Sequence, residues 1–460
     1  MMSEVRVAVH PHVPLEIIDN ILRNLKAHWI RDLASCALVC RAWCEFTRRH
    51  LFYELSFAFE VASPIDFLTG TDSSAGHTKT LGSLIHFLER SPQIRNCVQK
   101  LTLRRQHPFR GSLLPHVLFQ FMDLLHPSTL PALRHLSLIN VVFIRPFGPG
   151  DAALASDSDS SLVPPLDSLQ VHLDDGREIN GNDVLFLLSM FHSVKHLNFT
   201  GCPTIINEED TDVDAGDIRA YRVAEPKVLT LTKLSCYIPF LRTCSPSLMK
   251  NLCVFTAGLF DIQLMDDADI STLQQFFHDT RYTCGDVTLY YTLLDRNDRC
   301  RTPDFSFFAP FVRTFKLQFS LYEEEGDHAN VSIWALVAKV LSTLLPAGPY
   351  PTSPFRLHTV ILKISGREQP VNWLPEMYDH ADLIKGLELP GAARRARLVE
   401  DVLLRILETQ DLCGDDEEEG FGGLVVRVTS HDHMPVFDSR IRRLIKGVFA
   451  RLDATSVLCF

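Results

Sequence analysis

The sequence predicts three helices over residues 13–52, followed by a long α/β body. From residue 13 to residue 50 the apolar residues recur with a period near 3.6, which is typical of amphipathic helices. After residue 60, helical segments precede short runs with the alternation of half-buried strands. The chain has 460 residues, 46% of them hydrophobic and 22% charged, so it can build about two or three domains with full cores.

Composition argues against several classes of protein. The net charge of −11 disfavours nucleic-acid binding, which usually needs a basic surface. No run approaches the roughly 18 apolar residues of a membrane helix, and the first residues lack the apolar core of a signal peptide. The 12 cysteines form no CxxC pair. We therefore expect an intracellular protein of the cytoplasm or nucleus, with reduced cysteines and no metal or cofactor.

The first helix has a clear beginning and one apolar side. Pro14 suits a first helical turn, where its missing N–H costs nothing. Glu16 and Asp19 favour the positive end of the helix dipole. The apolar residues that share the helical period are Ile17, Ile18, Ile21, Leu22 and Leu25.

The second helix is unusual because apolar residues lie nearly all round it. Asp32 can cap its start, and a third helix follows from about Ala42 to His50, leading into the strand-like run LSFAF. About 45 residues cannot cover so much apolar surface alone, which predicts a protein partner. Cys36, Cys40 and Cys44 recur every fourth residue, and we expect Cys36 and Cys40 to be buried, reduced and metal-free. The apolar residues of this second helix are Leu33, Cys36, Ala37, Leu38, Val39 and Cys40.

Residues 13–60 resemble an F-box, with the pattern LP-x-E-I…I-L…L, L…C-x-x-V-C-x-x-W and R…LF. The departures are Val13 in place of leucine and the segment AHWIRD, which lacks the usual Ser or Thr. The resemblance implies an F-box domain over residues 10–56 that docks onto the Skp-type linker of an SCF cullin–RING ubiquitin ligase. The residues expected to bind the linker are Pro14, Leu15, Ile17, Ile18, Ile21, Leu22, Leu33, Cys36, Leu38, Val39, Cys40 and Trp43.

The rest of the chain, residues 57–460, resembles a degenerate leucine-rich repeat, with LRHLSL and VKHLNF as its best units. Such repeats form a curved α/β solenoid with strands on the inner face. The intervals between units run from 28 to 66 residues, so a two-layer α/β domain is the alternative. The predicted strands are 98–103, 133–139, 194–200, 250–256, 285–291, 312–319, 357–364 and 424–430.

Flexible insertions are predicted near residues 145–168, 205–218 and 413–423, which are rich in acidic, Gly, Ser or Pro residues. Polar residues between the core positions of a strand would lie on the concave face of a solenoid. The residues expected to form an exposed substrate-binding face are Thr102, Ser137, Asn198, Lys316 and Lys363.

No catalytic motif appears in the sequence, and His431-Asp432-His433 is read as a loop rather than a metal site. Arg394, Arg395 and Arg397 begin a helix whose apolar face is expected to run from Leu398 to Leu407. The F-box resemblance implies a non-catalytic adaptor that recruits a protein substrate for ubiquitination, similar to F-box proteins of mushroom-forming fungi. The alternative is a scaffold or enzyme that only contains an F-box-like hairpin.

Overall fold

The computed structural model describes the chain in segments between residue 15 and residue 460. These segments are 15–28, 30–59, 80–105, 115–141, 165–174, 178–180, 187–188, 190–191, 193–201, 204–206, 226–231, 234–243, 251–258, 267–280, 284, 286–293, 305–306, 308–321, 333–345, 356–365, 381–388, 391–413, 424–430 and 437–460. The histidines at 431 and 433, Pro14 and most of the three predicted insertions lie outside them.

Three helices form the N-terminal hairpin, as predicted. Its last helix ends with Arg48, Arg49 and His50, whose charge suits the negative end of the helix dipole. Asp32 lies in the first turn of the second helix and is not its cap, because that helix already begins at Ile30. The helices are α1 Leu15–His28, α2 Ile30–Cys36 and α3 Arg41–Leu51.

Helix α2 is shorter than the sequence predicts. The amides of Ala37, Leu38 and Val39 donate to carbonyls three residues back, at 3.2, 3.1 and 3.2 Å. These hydrogen bonds form a turn that ends α2. Cys40 follows with an extended backbone and is the N-cap residue of α3. The predicted extent of this helix is therefore wrong, because Leu38, Val39 and Cys40 lie in the connection and not on the helix.

Chain contacts divide the molecule into two units. Unit 1 comprises residues 1–173, 182–195 and 212–224. Its strands pair in parallel in the order β1-β2-β3-β4, and helices precede β2 and β3 along the chain. Its elements after α3 are β1 Glu54–Phe59, α4 Leu81–Arg90, α5 Pro92–Arg95, β2 Lys100–Arg105, α6 Pro115–Leu125, β3 His135–Ile139 and β4 Leu166–Leu173.

Unit 2 comprises residues 174–181, 196–211 and 225–460. It contains a second run of parallel strands in the order β6-β8-β9-β10-β11-β12-β13-β14, while β5 and β7 form a separate parallel pair. The strands are β5 Glu178–Asn180, β6 Val194–Gly201, β7 Thr204–Ile206, β8 Val228–Leu231, β9 Val254–Gly258, β10 Asp286–Leu293, β11 Thr314–Ser320, β12 Thr359–Ser365, β13 Val425–Ser430 and β14 Leu458–Cys459. The helices are α7 Ile238–Thr243, α8 Asp267–Thr280, α9 Ile333–Ser342, α10 Ala381–Glu388, α11 Ala392–Cys413, α12 Ser439–Val448 and α13 Ala450–Ala454.

One face of each set of strands is fully buried. Alternate residues such as Leu101 and Leu103 on β2, or Phe315 and Leu317 on β11, have almost no exposure. The residues between them, such as Thr102 and Lys316, are half-buried. Parallel strands with helices between them explain this pattern, because helical connections cover a face of the sheet.

All eight predicted strands are present, with bounds shifted by a few residues. The structure adds β4, β5, β7, β8 and β14, and β4 overlaps the insertion predicted at 145–168. In β4 the residues Leu166, Leu169, Val171 and Leu173 are buried, and this apolar spacing outweighs the Pro and Ser residues before it. The structure confirms mixed helices and a parallel sheet, whereas a curved repeat solenoid stays a prediction.

Two smaller expectations need correction. Leu398 is exposed, so the buried face of α11 runs instead through Ala392, Ala396, Val399, Leu403 and Ile406. Cys236 is disulfide-bonded, which differs from the expectation of reduced cysteines throughout. Across the part of the chain that the structure describes, no helix is long and apolar enough to cross a membrane.

A buried carboxylate fixes the C-terminal helices. Glu400 on α11 is fully enclosed, and its Oε1 accepts hydrogen bonds from the amides of Arg451 at 2.9 Å and Leu452 at 3.3 Å. These amides begin α13 and have no partner within that helix. The side chain therefore acts as a cap supplied by a distant helix.

We expect Glu400→Ala to lower the free energy of unfolding of unit 2 by about 1–3 kcal/mol, because the amides of Arg451 and Leu452 lose their acceptor. Chemical denaturation followed by tryptophan fluorescence measures this loss. The control is Glu408→Ala on the exposed side of the same helix. Equal stability of the two variants would show that the cap contributes nothing.

Candidate protein-binding site

The N-terminal hairpin has a small core of its own. Ile18 and Leu22 on α1 and Leu33 on α2 are buried. Cys36, Trp43, Phe46 and Leu51 pack against them and stay partly exposed. Each fully buried aliphatic side chain contributes roughly 1.5–3 kcal/mol, so this core can hold three short helices together but has little reserve.

Other large aliphatic side chains of the hairpin face solvent. Ile17 and Ile21 are 49% and 41% exposed, and their spacing of four residues places them on one side of α1. Leu38 and Val39, in the turn between α2 and α3, are 87% and 65% exposed. A monomeric domain gains nothing from exposing such residues, and exposed apolar patches mark protein contacts.

A hydrogen bond between a histidine and a carboxylate connects the first and third helices. His50 Nε2 lies 2.8 Å from Asp19 Oδ1, and Arg23 binds the other carboxylate oxygen at 2.8 Å. The hydrogen bond from His50, helped by the charges of His50 and Arg23, lowers the pKa of Asp19 below its ordinary value. This contact fixes α1 against α3 while Ile17 and Ile21 remain exposed.

The cysteines of the hairpin are more accessible than predicted. Cys40 is exposed, and Cys36 and Cys44 are half-buried free thiols. The expectation that Cys40 is buried is wrong because it precedes α3 in extended backbone, outside the core. Within the described residues, no group of three His, Cys, Asp or Glu side chains could hold a metal ion.

The family model described as F-box-like matches residues 10–58. The N-terminal segment is an F-box-like domain. The match covers about a tenth of the chain and includes the three helices and most of β1. F-box domains are protein-interaction modules and are typically non-catalytic, so this segment serves contacts between proteins. No curated protein and no solved structure matches the chain.

Within the F-box-like domain, the residues expected to bind the linker fall into distinct groups. Ile17, Ile21, Leu38, Val39 and Cys40 are exposed and available to a partner. The other described side chains lie in the domain's own core or pack against it. The fully buried ones are Ile18, Leu22 and Leu33, and the half-buried ones are Cys36 and Trp43. Leu15 begins α1, and Pro14 lies outside the described residues.

The residues predicted to form a substrate-binding face also differ in exposure. Thr102, Asn198, Lys316 and Lys363 lie between buried positions of their strands and are half-buried. Ser137 is only 7% exposed, so its expected exposure is wrong. Its short side chain lies on the central strand β3, aligned with Thr102 on β2 and Gln170 on β4.

Sequence reasoning missed a row of threonines that crosses unit 2. Strand register places five threonines beside one another on adjacent strands, continuing from Asn198 on β6. The signal in the sequence was a Thr inside or at the start of each strand, as in VLTL, VFTA, VTLY, TFKL and TVIL. The row consists of Thr230, Thr256, Thr288, Thr314 and Thr359.

The Asp19–His50 contact predicts a pH dependence for the F-box-like domain. Because the folded-state pKa of Asp19 is lowered, the contact stabilises the domain fully above the unfolded value of about 4. Its contribution disappears as the pH falls through the lower, folded-state pKa. We expect at most about 1 kcal/mol, because the carboxylate is about one-third exposed.

Hydrogen exchange of the α1 amides, corrected for the intrinsic pH effect, measures this contribution. Asp19→Asn should lower protection between pH 5 and 7, and the difference from the parent protein should vanish towards pH 3. The control is Glu45→Gln, which alters an exposed pair with Arg41. If Asp19→Asn lowers the protection of α1 equally at pH 3 and at pH 7, the carboxylate of Asp19 is not the source of the pH dependence.

Proposed function

We propose that this protein is a substrate adaptor of an SCF-type cullin–RING ubiquitin ligase. Its F-box-like domain docks onto the Skp-type linker, and residues 57–460 recruit protein substrates for ubiquitination. The observation that carries this proposal is the exposed aliphatic group Ile17, Ile21, Leu38 and Val39 on a hairpin whose core is complete without it.

The division between core and surface supports docking by a preformed surface. Ile18, Leu22 and Leu33 hold the three helices, so the exposed residues need not rearrange before a partner binds. Preformed interfaces lose little conformational entropy on association. Removing exposed aliphatic area from water stabilises a complex, which favours an apolar groove on the linker.

The α/β body supports the second half of the proposal. Parallel strands present polar residues in ordered rows, among them the threonine row of unit 2, which is half-buried except for the buried Thr288. A surface of this kind offers many hydrogen-bonding groups to a substrate protein. Binding of this kind needs no catalytic residue in the chain itself. The adaptor then positions a substrate, and the catalytic step belongs to other subunits of the ligase.

Copurification with a Skp-type linker and a cullin tests the first half of the proposal. We expect a stable complex with the linker and, through it, with the cullin. A complex with the linker that excludes the cullin would indicate an F-box that binds the linker without joining a ligase. No complex with the linker, from a chain whose hairpin is folded, would contradict the adaptor proposal and favour the scaffold interpretation.

A chimaera tests the second half. Residues 61–460 are replaced by those of another F-box protein, and residues 1–60 are kept. We expect linker binding to survive and the captured substrates, identified by mass spectrometry, to change. An unchanged set of substrates would place substrate recognition in the N-terminal segment.

A further inference from the structure

One cysteine of unit 2 differs from the other cysteines that the structure describes. Cys236 is disulfide-bonded, and the cysteine that it binds lies outside the described residues. Seven described cysteines are free thiols, and three of these, Cys40, Cys253 and Cys459, are exposed. Exposed free thiols suit a protein that is kept under reducing conditions. Under such conditions a disulfide is rare, and it is usually transient, catalytic or redox-sensing.

The disulfide is attached to a segment that contacts the end of β6. Cys236 lies in the short 3₁₀ turn Ser235–Tyr237, between β8 and α7. The hydroxyl of Tyr237, the next residue, donates to the carbonyl oxygens of Thr200 at 3.2 Å and of Gly201 at 3.4 Å. A change in the turn can therefore reach both α7 and the end of β6.

Aromatic rings hold the same segment in place without the disulfide. The ring centroids of Tyr237 and Phe240 lie 5.3 and 5.1 Å from that of Phe199 on β6, and all three side chains are buried. Cys236 itself is half-buried, which allows a small thiol to reach its sulfur while the rings stay packed. The disulfide is thus an added restraint on a segment that can remain folded when the disulfide opens.

We infer that the disulfide of Cys236 is a reversible redox switch that sets the local stability of α7 and of the end of β6. One glutathione thiolate attacks the disulfide and forms a mixed disulfide, and a second glutathione releases the remaining protein thiol. The two protein cysteines gain two electrons and two protons, and the two glutathiones lose them as they become glutathione disulfide. Glutathione disulfide reverses the reaction. The open form lacks a cross-link, so locally opened states of the segment become more populated.

Incubation of the full chain with reduced glutathione or with glutathione disulfide, without denaturant, tests the switch. Free thiols are then alkylated, and peptide mapping by mass spectrometry reports the state of Cys236. We expect Cys236 to be alkylated after the first treatment and disulfide-bonded after the second. Hydrogen exchange of residues 235–243 should be at least about tenfold faster in the reduced form, with exchange of β11 unchanged. A thiol at Cys236 in glutathione disulfide, or a disulfide that opens only in denaturant, would overturn the inference.

Two cysteine variants separate this disulfide from other thiol chemistry. Cys236→Ser should show the fast exchange of the reduced form in both buffers. The matched control is Cys253→Ser, which removes an exposed free thiol next to β9 and should keep the full redox response. A redox response that persists in Cys236→Ser would assign it to other cysteines and overturn the inference. If Cys236→Ser does not fold, the comparison of the parent chain in the two buffers still decides, and neither result depends on the proposed adaptor function.

Discussion

Replacing Leu38 and Val39 together with aspartate is expected to abolish binding to the Skp-type linker. Both side chains lie in the turn between α2 and α3 and are mostly exposed, so the hairpin should fold as before. In the complex the new carboxylates would be buried without partners, at a cost of several kcal/mol. A loss of 5 kcal/mol corresponds to roughly a 4,000-fold weaker complex, measured by calorimetry or surface plasmon resonance.

The matched control adds the same charge elsewhere in unit 1. Gln93→Asp/Asn96→Asp changes two exposed polar residues at and beside α5 and should leave linker binding unchanged. Circular dichroism and hydrogen exchange over residues 15–51 establish that both variants remain folded. A folded Leu38→Asp/Val39→Asp protein that binds the linker normally would rule out this surface as the docking site.

The second large effect is expected at Leu22, which is completely buried on α1. Leu22→Ala should destabilise the F-box-like domain by about 2–5 kcal/mol, because it removes buried methyl groups and leaves a cavity. In so small a core this is enough to open the hairpin, so linker binding falls through loss of folding. Hydrogen exchange should show lost protection across α1–α3, with protection of unit 2 unchanged.

The neighbouring residue provides the contrast. Ile21 is exposed, so Ile21→Ala should keep the protection of α1 and weaken linker binding by removing a contact. Leu22→Met, which nearly conserves volume, should restore folding. If Leu22→Ala and Ile21→Ala had the same effect on hydrogen exchange, the division of α1 into a core side and a binding side would be wrong.

The sequence predicted the helices and strands better than it predicted which of their side chains are exposed. The spacing of Ile17, Ile18, Ile21 and Leu22 identifies an amphipathic helix. Both members of the pair Ile17 and Ile18, and both members of the pair Ile21 and Leu22, fit its apolar side. Which member of each pair faces α3 depends on how the helices cross, and periodicity in one helix contains no such information. The structure places Ile18 and Leu22 inside and Ile17 and Ile21 outside.

The end of α2 could not be predicted for a related reason. Leu38, Val39 and Cys40 continue the apolar pattern of the helix, and no Gly or Pro marks a stop. The helix ends because its last amides form hydrogen bonds three residues back and the chain turns into α3. Apolar residues are usually buried, so exposed apolar residues after a helix end depart from the common pattern. Such departures are expected at binding sites.

The strands of residues 57–460 were easier to predict than the arrangement of side chains across neighbouring strands. Alternation in runs such as VRTFKLQF identifies a strand and its buried side from local sequence alone. The alignment of Lys316 with Arg427, or of five threonines in one row, depends on the register between strands far apart in the chain. Register is a tertiary property, so these alignments required the structure.

We propose that the exposed aliphatic group of the F-box-like domain docks onto a Skp-type linker. The most direct measurement is the titration of the purified full chain with a purified linker, followed by size-exclusion chromatography with light scattering. We expect a complex of one chain with one linker, lost in Leu38→Asp/Val39→Asp and retained in Gln93→Asp/Asn96→Asp. A chain with a folded hairpin that remains separate from the linker at micromolar concentration would contradict it.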